Sequence, residues 1–506
     1  MATSGTPATS VPSHPVMHDV VIARGRVVDP ESGLDDVRDV GIIGDQIVSV
    51  STSELEGRRR IDAHGLVVVP GFVDLHSHAQ AVGEMRLQAL DGVTTALELE
   101  AGVSPVDAAY RRAGTEGRPI NFGYSTSWAA IRRHVVGGEP LTGGLDAFQE
   151  GLGADAWRAG ASPAQQAEMM DMLHREIADG ALGIGVLLGY APRTDPAEYL
   201  SVARLASSWG VPVFTHARPL VEQDPDVVVD GASEIARTAA ETGAHMHFCH
   251  INSTSSRHLD RVQGVVTAAR DEGSRITSEA YPYGSGMTGI GSEYFHPDRL
   301  HVLGGTGTTQ DVIYAATGET VASRERLLEL RALDPSALAF IKGFDEEQSP
   351  DRLEQILTLP GAAVASDAVP FVVEAGYTYD PLQWPLPAHV RTHPRSAGTF
   401  ARTLRIAVKE LGALTLSEAV ARCSLYPADI AGEASPAMKQ KGRIQVGCDA
   451  DISVFDLARV TDAATYQDST RPSQGFTHVM VNGELVVNEG LLLTDALPGR
   501  PVRGQS

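Results

Sequence analysis

His76 and His78 stand two residues apart at the end of a short apolar run, GFVDLHSH. Side chains two apart on an extended strand share a face, so both imidazoles reach one point at the strand's end. That geometry suits a metal ion, and equally a pair of satisfied core histidines. Other ligand-type residues fall at matching places: His216 ends VPVFTH, His250 ends HMHFCH and Asp367 ends GAAVASD. Glu98 and Glu100 share one face of a further run, TTALELE. Two inward carboxylates repel each other and lose hydration unless a cation, or an arginine such as Arg218, compensates them. Glu100 lies nearer the end of its strand, level with the His-Ser-His rim, and is expected to bridge two metal ions. His245 and His247 stand on the other strand phase from His250 and are expected to be structural or outward-facing, and Cys249 to face away from the site.

Imidazoles mixed with carboxylates suit zinc and its neighbours better than calcium or magnesium, so one or two zinc ions per chain are the expected cofactor. Such an ion lowers the pKa of a bound water towards about 7 and polarises a carbonyl, which is the chemistry of metal-assisted hydrolysis. No Ser-His-Asp order with a nucleophile elbow occurs, which argues against serine catalysis.

These residues need a frame that brings strand ends together. Eight apolar runs alternate with helical stretches: GFVDLHSH, TTALELE, INFGYSTS, ALGIGVLL, VPVFTH, HMHFCH, RITSEAYPY and GAAVASD. Strand and helix in alternation imply parallel strands, and eight of them close a TIM barrel whose active site lies at the strands' C-terminal ends. About seventy residues, 289–360, interrupt the rhythm before the eighth run and would sit over the barrel mouth as a lid. Residues 17–69 and 436–506 read differently, as short half-buried strands broken by turns, with Asn482-Gly483 a hairpin signal. Both chain ends are expected to build one β-sandwich domain beside a barrel domain of residues 70–435. Residues 1–16 are rich in Ser, Thr, Pro and Ala without a basic start or apolar stretch, and read as a flexible tail rather than a secretion signal.

PGFVDLHSH, the HFCH strand end, ASD and the closing KGRIQVGCDADISVFD resemble the amidohydrolase superfamily, metal-dependent hydrolases built as a TIM barrel beside a β-sandwich. More narrowly, GVTTALELEAGVS, ADGALGIGVLLGYAP, THARP, EAYPYGSGMT, HPRSAGTF and SLYPADIAG resemble the N-acyl-D-amino-acid deacylase (D-aminoacylase) branch, over about residues 18–500. The resemblance implies that His76, His78, His216, His250 and Asp367 are metal ligands and that Asp367 doubles as the proton-shuttling base. It also implies that Tyr283 and Arg395 grip a substrate carboxylate, an Arg fork bidentately and the phenol with one hydrogen bond. Two departures stand out. The branch places a bridging cysteine where Ala101 aligns here, preceded by Glu100, and a lysine where this chain has Asn252. The first exchanges thiolate for carboxylate; the second removes a cation from the pocket. The activity implied is hydrolysis of a linear amide, most simply of an N-acyl amino acid of D configuration. The alternatives are a cyclic amide hydrolase of the hydantoinase or dihydroorotase kind and a barrel scaffold without catalysis. The cyclic group usually bridges its metals with a carboxylated lysine on a later strand, and ALGIGVLLGY has none.

The balance of 41 Lys plus Arg against 64 Asp plus Glu leaves a net charge of −23, which repels a phosphate backbone and speaks against nucleic acid as a partner. No stretch approaches the roughly 20 apolar residues of a membrane span. Cys249, Cys423 and Cys448 are too few and scattered for a disulfide framework, which fits the cytoplasm. A small-molecule substrate and further copies of the chain, as a homo-oligomer, are the partners this composition allows.

Overall fold

Eight parallel strands, in sequence order around the sheet, make up the centre of the fold in the computed structural model, which describes residues 17–144, 151, 154–302 and 304–505. The expected tail, residues 1–16, lies outside the described residues. The barrel strands are β1 (Phe72–Asp74), β2 (Val93–Val103), β3 (Asn121–Ser127), β4 (Ile184–Leu187), β5 (Val213–His216), β6 (Met246–Phe248), β7 (Ile276–Ala280) and β8 (Ala362–Val364). All eight are the runs that the sequence marks, and this is the expected TIM barrel. Helices return the chain between strands, and their ends carry local signals. Ser162 and Gln165 form a capping box ahead of Pro163–Ala178, Asp230 caps Gly231–Thr242, and Gly210 and Gly243 close their helices in the left-handed conformation.

The ladder runs from β8 through β7 to β1 and leaves β8 and β1 to be joined otherwise. Buried Asp74 at the end of β1 does this. Its carboxylate accepts the Ser366 N–H at 3.0 Å and the Ser366 hydroxyl, and also the His76 N–H at 3.2 Å. His78 N–H then donates to the Ala368 carbonyl at 2.8 Å. The His-Ser-His strand end and the Ala-Ser-Asp strand end are thus tied to each other directly.

Both chain ends contribute to a single nine-stranded sheet that wraps around its own core of Ile22, Val27, Val40, Ile452, Val454 and Met480. The junction is Val67–Pro70 running antiparallel to Ile452–Phe455, with Ser453 opposite Val69. On the N-terminal side, Gly57–Asp62 pairs in parallel with His18–Asp29 and exposes three consecutive arginines, Arg58, Arg59 and Arg60. The insertion carries a separate four-stranded sheet of Ser285–Gly289, Leu338–Lys342, Val312–Tyr314 and Glu319–Thr320, with the helix Arg324–Leu333. Its sheet begins at Ser285, a few residues before the expected boundary, because the chain leaves β7 through a turn and enters the new sheet at once. Met287, Leu338 and Ile341 of this sheet face the cavity at the barrel mouth.

Candidate active site

The six residues expected as metal ligands converge on one buried point at the C-terminal end of the barrel. Glu100 lies between two imidazole pairs. Its Oε1 is 2.9 Å from His216 Nδ1 and 2.6 Å from His250 Nε2, and its Oε2 is 3.2 Å from His76 Nε2 and 3.6 Å from His78 Nε2. Asp367 Oδ1 completes the second group at 3.4 Å from His76 Nε2 and 3.5 Å from His78 Nε2.

The outer nitrogens of the His-Ser-His pair are fixed by carboxylates. Glu279 Oε1 accepts from His76 Nδ1 at 2.5 Å, and Glu98 Oε2 accepts from His78 Nδ1 at 2.6 Å. With the protons on both Nδ1 atoms, both Nε2 atoms carry lone pairs, yet they face each other at 3.1 Å with two carboxylate oxygens alongside. Converging lone pairs and negative charges repel unless a cation lies among them, so this donor set fits a divalent metal, and its N and O composition fits zinc. His216 agrees: the Tyr294 hydroxyl occupies its Nε2 at 2.6 Å and leaves Nδ1 facing Glu100. His250 Nδ1 is the imidazole nitrogen of this set without a hydrogen-bond partner.

The electrostatics follow from burial and charge. Burial alone would raise the Glu279 carboxyl, but the imidazoles of His76 and His247 outweigh it and hold it down to about 2. Burial works against a charged His78, yet Glu98 and Asp367 push it up to about 10, so its Nε2 holds a proton wherever a metal ion has not displaced it. For Asp367, burial is outweighed chiefly by the Arg395 guanidinium and the His76 imidazole, which hold its carboxyl well below the usual range. Two of these residues, His250 at φ 29° and Asp367 at φ 50°, adopt left-handed backbone, a strain of about 1–3 kcal/mol each that the surrounding contacts must offset.

Glu98 and Glu100 divide the work because β2 bulges after Glu98, where the pairing with β3 shifts register. Glu98 Oε1 accepts the Ala101 and Gly102 N–H groups at 3.2 and 3.3 Å, so this side chain caps the bulge and orients His78, while Glu100 alone reaches between the imidazole pairs. Arg218 compensates neither; it is paired with Glu234 at 2.7 Å.

The expectations for Cys249 and for the Arg395–Tyr283 pair need correction. Cys249 brings its sulfur within 4.8 Å of ligand atoms of His76 and Glu279, since β6 ends at Phe248 and strand alternation no longer governs the next residue. His247 takes the structural one of its two expected places, fully buried and donating to Glu279 at 3.0 Å. Arg395 does not present an open fork. Its Nε donates to the Asp367 carbonyl at 2.5 Å and its Nη2 to Asp367 Oδ2 at 2.9 Å, leaving Nη1 buried without a partner. Tyr283 lines the cavity, but its hydroxyl donates to the Pro394 carbonyl at 3.4 Å.

Sequence reasoning passed over several residues. Glu279, inside RITSEAYPY, stands at alternating positions with Thr277 on a strand face shared with the ligands, and a buried carboxylate among histidines was a signal available there. Tyr281 lines the cavity, with the Arg395 guanidinium 4.8 Å over its ring, and its backbone N–H and carbonyl are both bonded to the Asn252 amide. Tyr190 and Tyr294 close the side near His216.

Replacing Glu279 by Gln removes the charge that fixes the His76 tautomer and is expected to weaken zinc affinity about 10- to 100-fold without unfolding the protein. Chelator-competition titration measures this, and unchanged affinity would mean that His76 is aligned by other contacts.

A profile of the Amidohydrolase family matches residues 59–264 and 378–487. Among characterised proteins the chain is 27% identical over 491 residues to an N-acyl-D-glutamate deacylase of Alcaligenes xylosoxydans xylosoxydans, covering 92% of this chain and 93% of that one. It is 26% identical over 500 residues to a D-aminoacylase of the same organism, covering 93% and 95%. Among solved structures, N-acyl-D-glutamate deacylase from Bordetella bronchiseptica, complexed with zinc and a phosphonate inhibitor, superposes with a TM-score of 0.76 at 24% identity, covering 97% of this chain and 100% of that one. A D-hydantoinase from a Bacillus species fits less well, at 0.59 and 16% identity over 96% and 99% of the two chains.

Proposed function

The chain belongs to the Amidohydrolase family, and we propose that it hydrolyses the linear amide bond of N-acyl-D-amino acids, or of similar carboxylate-bearing amides, with one or two zinc ions. The observation that carries this reading is the split Glu100 carboxylate, one oxygen toward His216 and His250 and the other toward His76 and His78. His76, His78, Glu100, His216, His250 and Asp367 would hold the metal. When bound, it would acidify a water and polarise the scissile carbonyl.

Asp367 is both at the metal point and on the cavity wall, so it can accept the proton of the attacking water and deliver it to the amide nitrogen as the C–N bond breaks. Without that proton the nitrogen would leave as an amide anion. Arg395 holds the carboxylate of Asp367 in place, its guanidinium over the Tyr281 ring and its Nη1 buried and unbonded behind the cavity lining; we propose that this N–H, with Tyr283 on the lining, takes the substrate carboxylate. The lower similarity to hydantoinases and the absence of lysine among the described lining residues favour linear over cyclic amides.

No helix among the described residues is long and apolar enough to cross a membrane. We place the reaction in the cytoplasm because the three cysteines are buried and unpaired.

Zinc-loaded protein supplied with N-acetyl-D- and N-acetyl-L-amino acids, hydantoins and dihydropyrimidines tests the reading. Release of acetate from the D compounds is expected. Ring opening of the cyclic amides without hydrolysis of the linear ones would overturn it.

A further inference from the structure

Arg352 is set apart from the other charged residues of the cavity. It lies on the helix Pro350–Leu357 and is half-buried at the cavity wall, where it supplies the one Lys or Arg side chain among the described lining residues. Its guanidinium rests 4.5 Å over the ring of Phe344. Phe344 itself is pinned, since its N–H and that of Gly343 both donate to the Gly284 carbonyl, at 3.0 and 2.8 Å. Among the described residues no carboxylate lies within ion-pair reach of Arg352 and no acceptor is bonded to its guanidinium. In a chain with 64 acidic residues and a net charge of −23, an unpaired arginine over the substrate cavity runs against the general composition. Partial burial of a cation without a counter-charge costs free energy, and burial does lower its pKa. That cost is recovered when an anion enters.

The ring platform holds the guanidinium plane and leaves its N–H edge to bind a carboxylate in plane with two parallel hydrogen bonds. The cavity wall also carries Met287, Leu338, Ile341 and Val369, apolar surface against which a short hydrocarbon spacer can lie. Arg395, held on Asp367 beside the reacting centre, serves the near carboxylate in the function proposed above; Arg352 lies on a different element, the insertion side of the mouth.

We propose that Arg352 binds a second carboxylate, remote from the scissile amide, so that the preferred substrates are dianionic N-acyl-D-amino acids. This rests on the deacylase reading. The remote carboxylate belongs either to the amino-acid side chain or to the far end of the acyl group.

The test compares kcat/KM of zinc-loaded wild type and Arg352→Gln on two matched pairs: N-acetyl-D-glutamate with N-acetyl-D-glutamine, and N-succinyl-D-alanine with its succinamoyl analogue. The wild type is expected to favour the charged member of one pair about 10- to 100-fold, and the pair that responds identifies the half of the substrate carrying the carboxylate. Arg352→Gln is expected to erase most of that ratio, and Arg352→Lys to restore part of it. Hydrolysis of all four compounds without a charge preference, or a preference that survives in Arg352→Gln, would overturn the proposal while leaving the deacylase reading intact. If none of the four is hydrolysed, the deacylase reading fails instead. Calorimetric binding of glutarate against glutaramate then decides Arg352 on its own: binding of glutarate that Arg352→Gln abolishes upholds an anion site, and equal binding by both proteins removes it.

Discussion

Asp367→Asn is expected to lower kcat about 100- to 10,000-fold while the protein folds normally, the range for loss of a positioned acid–base group, or about 3 to 5 kcal/mol of barrier. The substitution is nearly isosteric. An amide oxygen can still accept from Arg395 Nη2, which now lies 2.9 Å from Oδ2, and the backbone ties from Asp74 to Ser366 and from His78 to Ala368 do not involve the Asp367 side chain. What Asn cannot do is take a proton from water and return it to nitrogen. Zinc content measured on the same preparation separates the two roles of this residue. If zinc is retained and kcat collapses, the defect is in proton transfer. If kcat stays within about tenfold of wild type at full zinc occupancy, another group carries the proton and Asp367 is a ligand only.

The second large effect concerns Glu100. Glu100→Ala is expected to reduce bound zinc per chain after dialysis and to lower activity by at least about 100-fold, more than loss of an outer hydrogen-bond partner produces. The reason is geometric. Glu100 is the group that reaches both imidazole pairs, so without it like lone pairs and like metal charges face each other with nothing between them. Glu98→Ala should behave differently. It leaves the buried Ala101 N–H unpaired, at about 1–3 kcal/mol, and the half-buried Gly102 N–H without its acceptor, so thermal stability falls first. Elemental analysis with thermal melting of both variants distinguishes them. Loss of zinc from Glu98→Ala with full zinc in Glu100→Ala would reverse the assignment.

The barrel was readable because each of its strands is a short apolar run, and because residues closing such runs are brought to one rim by the topology alone. His76, His78, His216, His250 and Asp367 needed nothing more. Glu100 was chosen over Glu98 by height along the strand, and the structure adds the bulge after Glu98 that gives that side chain other partners. Strand alternation failed wherever the strand had already ended. Tyr281 and Tyr283 are two apart and would share a face if β7 continued, but β7 stops at Ala280 and a tight turn about Pro282, with the Tyr283 N–H donating to the Tyr281 carbonyl at 3.0 Å, sends the two phenols to different surroundings. Arg395 illustrates another limit. Its choice of Asp367 as partner depends on a contact between a loop and a helix start that no local pattern encodes. Arg352 lay within the insertion, where the sequence offered no motif, and only the three-dimensional lining of the cavity reveals it.

The antiparallel pairing of Val67–Pro70 with Ile452–Phe455 bears on how the molecule is made. Roughly 380 residues separate the two strands, so at about 5–20 residues per second the N-terminal sheet waits about 20 to 80 s on the ribosome with an unsatisfied edge. An open β edge invites pairing with neighbouring nascent chains. The exposed arginines of Gly57–Asp62 lie in this waiting half of the sheet, Arg58 paired with Asp19 and Arg60 with Asp39 and Glu54, and such charged side chains near an open edge disfavour its pairing with another chain. On this view the Arg58–Arg60 run bears on the yield of folded protein as well as on the finished sheet, where it makes ion pairs.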